Sequence, residues 1–170
     1  NLYQNYIKLK IPHAAGSPGE LQFKGKNEFQ SSSNLKFNVD NSILDIDGTL
    51  LANKATIRDK LICEGSVYHN ITKTDEKTYE VAENDYTIIC DASKNKIRVT
   101  LPPADLNCGR VIIIKKANSD KYKLNSNQIL ITCLEGRIDI NEEIAIKMNY
   151  SSRTLQSDGE NWWIIGTKGT

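Results

Sequence analysis

The chain has 170 residues, 22 of them Lys or Arg against 21 Asp or Glu, for a formal net charge of +1. That length fits one domain of ordinary size, or a small head with a stalk, and the balanced charge supplies no bulk field toward nucleic acid or anionic lipid. The longest apolar runs, Val111–Ile114 and Trp162–Ile165, are far too short to span a bilayer, so no membrane insertion is expected.

Residues 1–20 carry no core pattern. Tyr3, Tyr6, Ile7 and Leu9 are followed by Pro12 and by Ala14-Ala15-Gly16-Ser17-Pro18-Gly19, a density of Gly and Pro that predicts a linker or N-terminal segment. Residue 1 is Asn, which predicts a fragment or processed product. Residues 21–75 alternate apolar and polar letters in short bursts: Leu21/Phe23, Leu35/Phe37/Val39, Leu44/Ile46, then Leu50, Ile57, Leu61 and Val67. Gly, Asn, Asp and Ser fall between them, which is strand-and-turn spacing. Strands this short bury too little to stand alone, and three chains wound together would supply the missing partners. A short helix competes only over Ala52–Lys60.

From residue 76 the bursts lengthen. Tyr79/Val81, Tyr86/Ile88, Ile97/Val99/Leu101, Val111–Ile114, Tyr122/Leu124, Ile129/Ile131, Ile138/Ile140, Ile144/Ile146/Met148 and Trp162–Ile165 are predicted strands. Period-two alternation of β-branched residues dominates, and no amphipathic stretch of helical length competes. An all-β fold follows, with a short-stranded region to residue 75 and a β-rich region over 76–170 of sandwich, jelly-roll or prism type.

Four segments stand in order in the second region. They are Asp85-Tyr86-Thr87-Ile88-Ile89-Cys90-Asp91-Ala92-Ser93; Ile97-Arg98-Val99-Thr100-Leu101-Pro102; Gly109-Arg110-Val111-Ile112-Ile113-Ile114-Lys115; and Ser157-Asp158-Gly159-Glu160-Asn161-Trp162. The series resembles the C-terminal shaft and head module of viral fibres, of the phage tail-fibre kind or from large DNA viruses. The resemblance covers roughly residues 78–167. It implies a fibrous shaft over 21–75, a trimeric head over 76–170, and a structural attachment protein rather than an enzyme. The implied location is the virion surface, after assembly in the host cytoplasm. The implied partners are two further copies of the chain, a host receptor or glycan, and other virion proteins on the N-terminal side. Cys90 and Cys108 depart from the usual letters.

A second motif points elsewhere. Ile43-Leu44-Asp45-Ile46-Asp47-Gly48-Thr49 matches the first motif of the haloacid-dehalogenase-like phosphatases. That resemblance implies Asp45 as the nucleophile and Asp47 as the acid/base beside magnesium. The family also needs a parallel sheet flanked by helices, a Lys and a carboxylate pair, and the 10–15-residue helical patterns that build such a fold are lacking. A strand ending in an Asp47-Gly48 turn explains the same letters.

No further chemistry is prescribed. Cys63, Cys90, Cys108 and Cys133 form no pair or Cys/His cluster at zinc spacing, and Cys90 and Cys133 read as buried thiols. His13 and His69 read as surface residues, no phosphate-binding loop occurs, and no cofactor or metal is called for. Lys115-Lys116 and Lys121/Lys123 read as a solvated edge or loop rather than a nucleic-acid face. Asn70-Ile71-Thr72 and Asn149-Tyr150-Ser151 fit the N-glycosylation pattern. Trp162 and Trp163 must point to opposite faces of a regular strand, one into the core. Tyr122, Tyr150 and Trp163 are the candidates for stacking on a sugar ring; core or interface packing is the competing explanation for each. A carbohydrate-binding module of a larger protein is therefore the alternative to a fibre head.

Overall fold

A computed structural model describes residues 17–24, 29–119 and 127–169. Among the described residues the protein is all-β: twelve strands in three open sheets, with one 3-10 turn at Asp105–Asn107. The chain divides into two compact units, Asn1–Ile62 and Cys63–Thr170.

The first unit is an antiparallel meander of β1 (Glu20–Lys24), β2 (Phe29–Asn38) and β3 (Ile43–Ile46). None of its described side chains is buried. Leu35 pairs with Ile46 and Phe37 with Leu44, so the ladder holds, yet among the described residues a single layer of three strands buries no side chain. The helix that competes over Ala52–Lys60 does not form; that stretch is neither helix nor strand and is exposed throughout. Nine residues are too few for an isolated helix.

The second unit holds nine strands. In chain order they are β4 (Ile71–Thr74), β5 (Thr78–Glu80), β6 (Thr87–Asp91), β7 (Ile97–Leu101), β8 (Val111–Ala117), β9 (Ile129–Cys133), β10 (Glu143–Ile146), β11 (Ser152–Ser157) and β12 (Trp162–Lys168). A five-stranded sheet runs β12-β11-β8-β6-β4 and a four-stranded sheet runs β10-β9-β7-β5. From β4 to β9 the chain switches sheets at every strand, and all neighbours made this way are parallel: β4 with β6, β6 with β8, β5 with β7, β7 with β9. A parallel pair needs a long crossover, normally a helix. Here the strand of the opposite sheet is the crossover, so the chain winds as three turns of a two-sheet coil. The antiparallel strands β10, β11 and β12 then close it.

Both sheets contribute to one core. Ile88, Ile112, Ile114, Leu155 and Trp162 from the larger sheet join Ile97, Val99, Leu101, Ile129, Ile131 and Ile146 from the smaller. Alternation places them: β7 and β8 bury every second residue and turn Arg98, Ile113 and Lys115 outward. Lys116 occupies an inward position at the end of β8. Its buried ammonium donates to the carbonyls of Lys147 (2.7 Å) and Asn127, and burial lowers its pKa. The Lys115-Lys116 pair therefore lies on a central strand rather than an edge, with its two side chains on opposite faces.

Candidate functional site

The ordered segments singled out in the second region hold turns together. Asp85 is buried and accepts hydrogen bonds from the Thr72 hydroxyl (2.5 Å), the Tyr79 hydroxyl (2.7 Å) and the Ala82 amide (2.8 Å). Burial alone would raise its pKa, but these donors and the Arg110 guanidinium outweigh it and hold the carboxyl below the ordinary range. Arg110 donates to the carbonyls of Ala82 (2.5 Å) and Asp85 (3.1 Å), clamping the same turn. Asp91 takes the amides of Ser93 (3.0 Å) and Ser119 (3.2 Å). Its pKa falls to about 2, because hydrogen bonds from Ser119 and Ser93 overcome the effect of burial.

The closing segment works likewise. Asp158 caps its own turn through the amides of Glu160 and Asn161, both at 2.8 Å, and these bonds keep its carboxyl below the usual range. The Ser157 hydroxyl donates to the Ala104 carbonyl at 2.8 Å. Trp162 points inward, fully buried, and its indole N–H donates to the Pro102 carbonyl at 3.0 Å. The chain passes so close at Gly136 (φ 91°) that a Cβ there would lie 2.5 Å from the Glu160 carbonyl oxygen.

The three predicted stacking residues do not gather. Trp163 points outward on β12, 43% exposed, its indole N–H fixed to the Asp158 carboxylate at 2.5 Å. Trp162 and Trp163 thus face opposite ways, as the strand alternation requires. Tyr150 is exposed in the turn before β11, its hydroxyl donating to the Asn118 carbonyl at 3.1 Å. Trp163 pairs with Gln156, whereas Tyr150 lies beyond the Ser152–Lys168 pair, so the two rings stand at opposite ends of the β11–β12 hairpin. Tyr122 lies outside the described residues.

The outer face of the five-stranded sheet carries what the sequence reading missed. Register aligns Lys73, Ile89, Lys115, Ser152 and Lys168 in one transverse row across β4, β6, β8, β11 and β12. Three ammonium groups stand on alternate strands, roughly 10 Å apart at the standard interstrand spacing. The next outer row holds Ile71, Thr87, Ile113 and Thr154, and the one beyond it Gln156 and Trp163. At the carboxyl ends of β4 and β6 a shallow open groove of about 450 Å³ is lined by Lys73, Thr74, Asp75, Ile89, Asp91 and Ala117.

Asp45 is exposed on β3, an edge strand of an antiparallel sheet, and Asp47 is exposed just after it. Neither has a parallel strand or a helix beside it among the described residues. No group of three metal-ligating side chains occurs among the described residues, and no helix there is long and apolar enough to cross a membrane. His69 is exposed and stacks on Tyr86 at a 3.8 Å centroid separation; His13 lies outside the described residues. All four cysteines are free, and Cys90 is buried, which pushes its thiol up to about 12. The Asn70 side-chain amide is engaged with the Asn84 carbonyl at 3.1 Å, whereas the Asn149 side-chain oxygen is buried without a hydrogen-bond partner. No protein-family model matches the sequence, and no curated protein is significantly similar to it.

Proposed function

We propose that the chain is a structural viral fibre or attachment protein, a homotrimer with a β-rich shaft over 21–75 and a head over 76–170 that offers a surface to a host receptor or glycan. One observation carries this reading. Every residue from 47 to 71 is exposed, including Leu50, Leu51, Ile57, Leu61, Ile62, Val67, Tyr68 and Ile71, and no strand or helix forms between β3 and β4. So many exposed large apolar side chains in one stretch of chain are what an interface would cover.

Six of these eight apolar residues come in adjacent pairs, Leu50-Leu51, Leu61-Ile62 and Val67-Tyr68. In an extended chain adjacent side chains point to opposite faces, so one partner on one side covers only half of them. Neighbours on both sides, as in a three-chain bundle, cover all of them. Attachment then works by avidity: weak contacts on three heads per fibre, and on many fibres, add without any one site being tight. In this reading the protein is no enzyme, needs no cofactor, and sits on the virion surface.

Light scattering across a dilution series tests the proposal. A mass three times 19.1 kDa that persists on dilution is expected. A monomer at every concentration overturns it and leaves a lone carbohydrate-binding module, for which Trp163, half-exposed and held in place by Asp158, would be the platform.

A further inference from the structure

We propose that the outer face of the five-stranded sheet is a binding surface for a linear anionic glycan, whose carboxylate or sulfate groups lie on Lys73, Lys115 and Lys168. The proposal rests on the attachment reading and names its ligand class. It uses residues other than the aromatic ones.

Three features of the row carry it. First, register brings lysines from β4, β8 and β12, far apart in sequence, into one transverse row on alternate strands, with a pitch of roughly 10 Å. A glycan in which alternate sugars are charged presents anions at a spacing of that order. Second, the three lysines are not tied up in ion pairs. The ion pairs among the described residues are Lys94–Asp75 and Arg98–Glu143, and no lysine of the row takes part in either. Of the two carboxylates in the groove beside Lys73, Asp75 pairs with Lys94 and Asp91 accepts from the Ser93 and Ser119 amides, while Lys115 donates to the Tyr150 carbonyl. Burial and then the positive charge of Lys168 lower the pKa of Lys115, so an anion bridging the two relieves a repulsion already present. Third, the positions between the lysines are filled by Ile89 and Ser152, a flat floor with a hydroxyl, and no aromatic ring lies in the row. Single-stranded nucleic acid binds by stacking successive bases on aromatic side chains; a sugar chain needs only the charges and a hydrogen-bonding floor.

The probe is a fluorescent heparin octasaccharide at physiological ionic strength, titrated with the full chain. A neutral dextran oligosaccharide, phosphatidylserine vesicles and a single-stranded oligonucleotide serve as parallel arms. Heparin is expected to bind most tightly. Lys115→Glu and Lys168→Glu should each weaken it by about five-fold or more, and Lys96→Glu, an equal charge change outside the row, by less than about two-fold. If Lys115→Glu on its central strand fails to fold, Lys73→Glu with Lys168→Glu on the two edge strands carries the same test. Equal losses for Lys96→Glu, tighter binding to vesicles or oligonucleotide, or no binding to heparin would each overturn the proposal. Light scattering on the same samples separates the two readings. Binding by a monomer leaves this surface standing and removes the fibre, whereas a trimer that ignores heparin removes the surface alone.

Discussion

Residues 47–71 and the coil that follows use the same apolar letters and reach opposite ends. In the coil, Ile88, Ile97, Val99, Leu101, Ile112 and Ile114 are wholly buried; upstream, Leu51 and Tyr68 are each 93% exposed. Composition does not separate the regions; strand pairing into two sheets over one core does. In β7 and β8 every second residue is buried, so each strand turns one face to a core that two sheets of one chain close over. The upstream segment, with Leu50-Leu51, Leu61-Ile62 and Val67-Tyr68, forms no strand and buries none of them. Exposure upstream is what the proposed trimer would relieve, whereas the core side chains of the coil are buried within one chain.

The largest effect that would sharpen this contrast is at Trp162. Trp162→Ala removes a fully buried indole and the bond to the Pro102 carbonyl, and should cost about 3–5 kcal/mol in denaturant unfolding of the coil. Trp163→Ala, one position along but outward-facing, should cost less than about 1 kcal/mol. Similar costs for the two would mean that the strand does not alternate as described.

Next in size is the polar node at the first turn of the coil. Asp85→Asn replaces a carboxylate that accepts three hydrogen bonds, and about 2 kcal/mol of stability should be lost. The pH dependence follows from the direction of the shifts. The pKa values of Asp85 and Asp91 are lowered in the folded state, so their contribution is complete above the unfolded value near 4 and is lost as pH falls through the folded values, that of Asp91 being about 2. Acid unfolding of the coil should therefore concentrate between about pH 4 and pH 2, and Asp85→Asn should shrink the loss over that window. A coil equally stable at pH 2 and pH 6 would contradict this.

Much of the coil was legible because its strands repeat at period two. Ile97/Val99/Leu101 and Val111–Ile114 could only be half-buried or buried strands, and the Trp162/Trp163 split followed from one alternation. The strands β4 and β11 were not legible. Ile-Thr-Lys-Thr and Ser-Arg-Thr-Leu-Gln-Ser carry one large apolar residue each, and their place is set by backbone ladders to β6, β8 and β12. The parallel winding was also hidden. Ile71 pairs with Thr87 but Thr87 with Ile113, so each turn is longer than the one before and no fixed sequence period marks it. The lysine row fails to show for the same reason: it exists only once three distant strands fall into register. In sequence the visible pair is Lys115-Lys116, whose members point to opposite faces.

Thiol labelling sets the two regions against each other without any mutation. Cys63 is exposed in the upstream segment, Cys108 is exposed in the turn after Asp105–Asn107, and Cys90 is buried in the core. In a lone chain Cys63 and Cys108 should react with a thiol reagent at comparable rates and Cys90 only on unfolding, since burial pushes its thiol to about 12. In an assembled trimer Cys63 should be protected while Cys108 still reacts. Fast labelling of Cys63 in a sample of trimeric mass would place the contacts elsewhere in the chain.

The smallest energetic effect gives the cleanest discrimination. Leu51→Ser, Leu61→Ser and Ile62→Ser together remove three large apolar side chains that are 93%, 70% and 72% exposed and touch no core. Changes at such positions usually alter a chain's own stability by no more than about 0.5 kcal/mol each, so denaturation of the coil should be nearly unmoved. If neighbouring copies bury these side chains, the loss falls on association instead. At roughly 1.5–3 kcal/mol for each fully buried Leu or Ile, repeated in all three chains, it is enough to dissolve the trimer. The expected pairing is a coil that unfolds as before in a protein whose mass has fallen to that of one chain. Loss of coil stability with the mass unchanged would mean that the segment packs on its own chain, and that its exposure is no demand for partners.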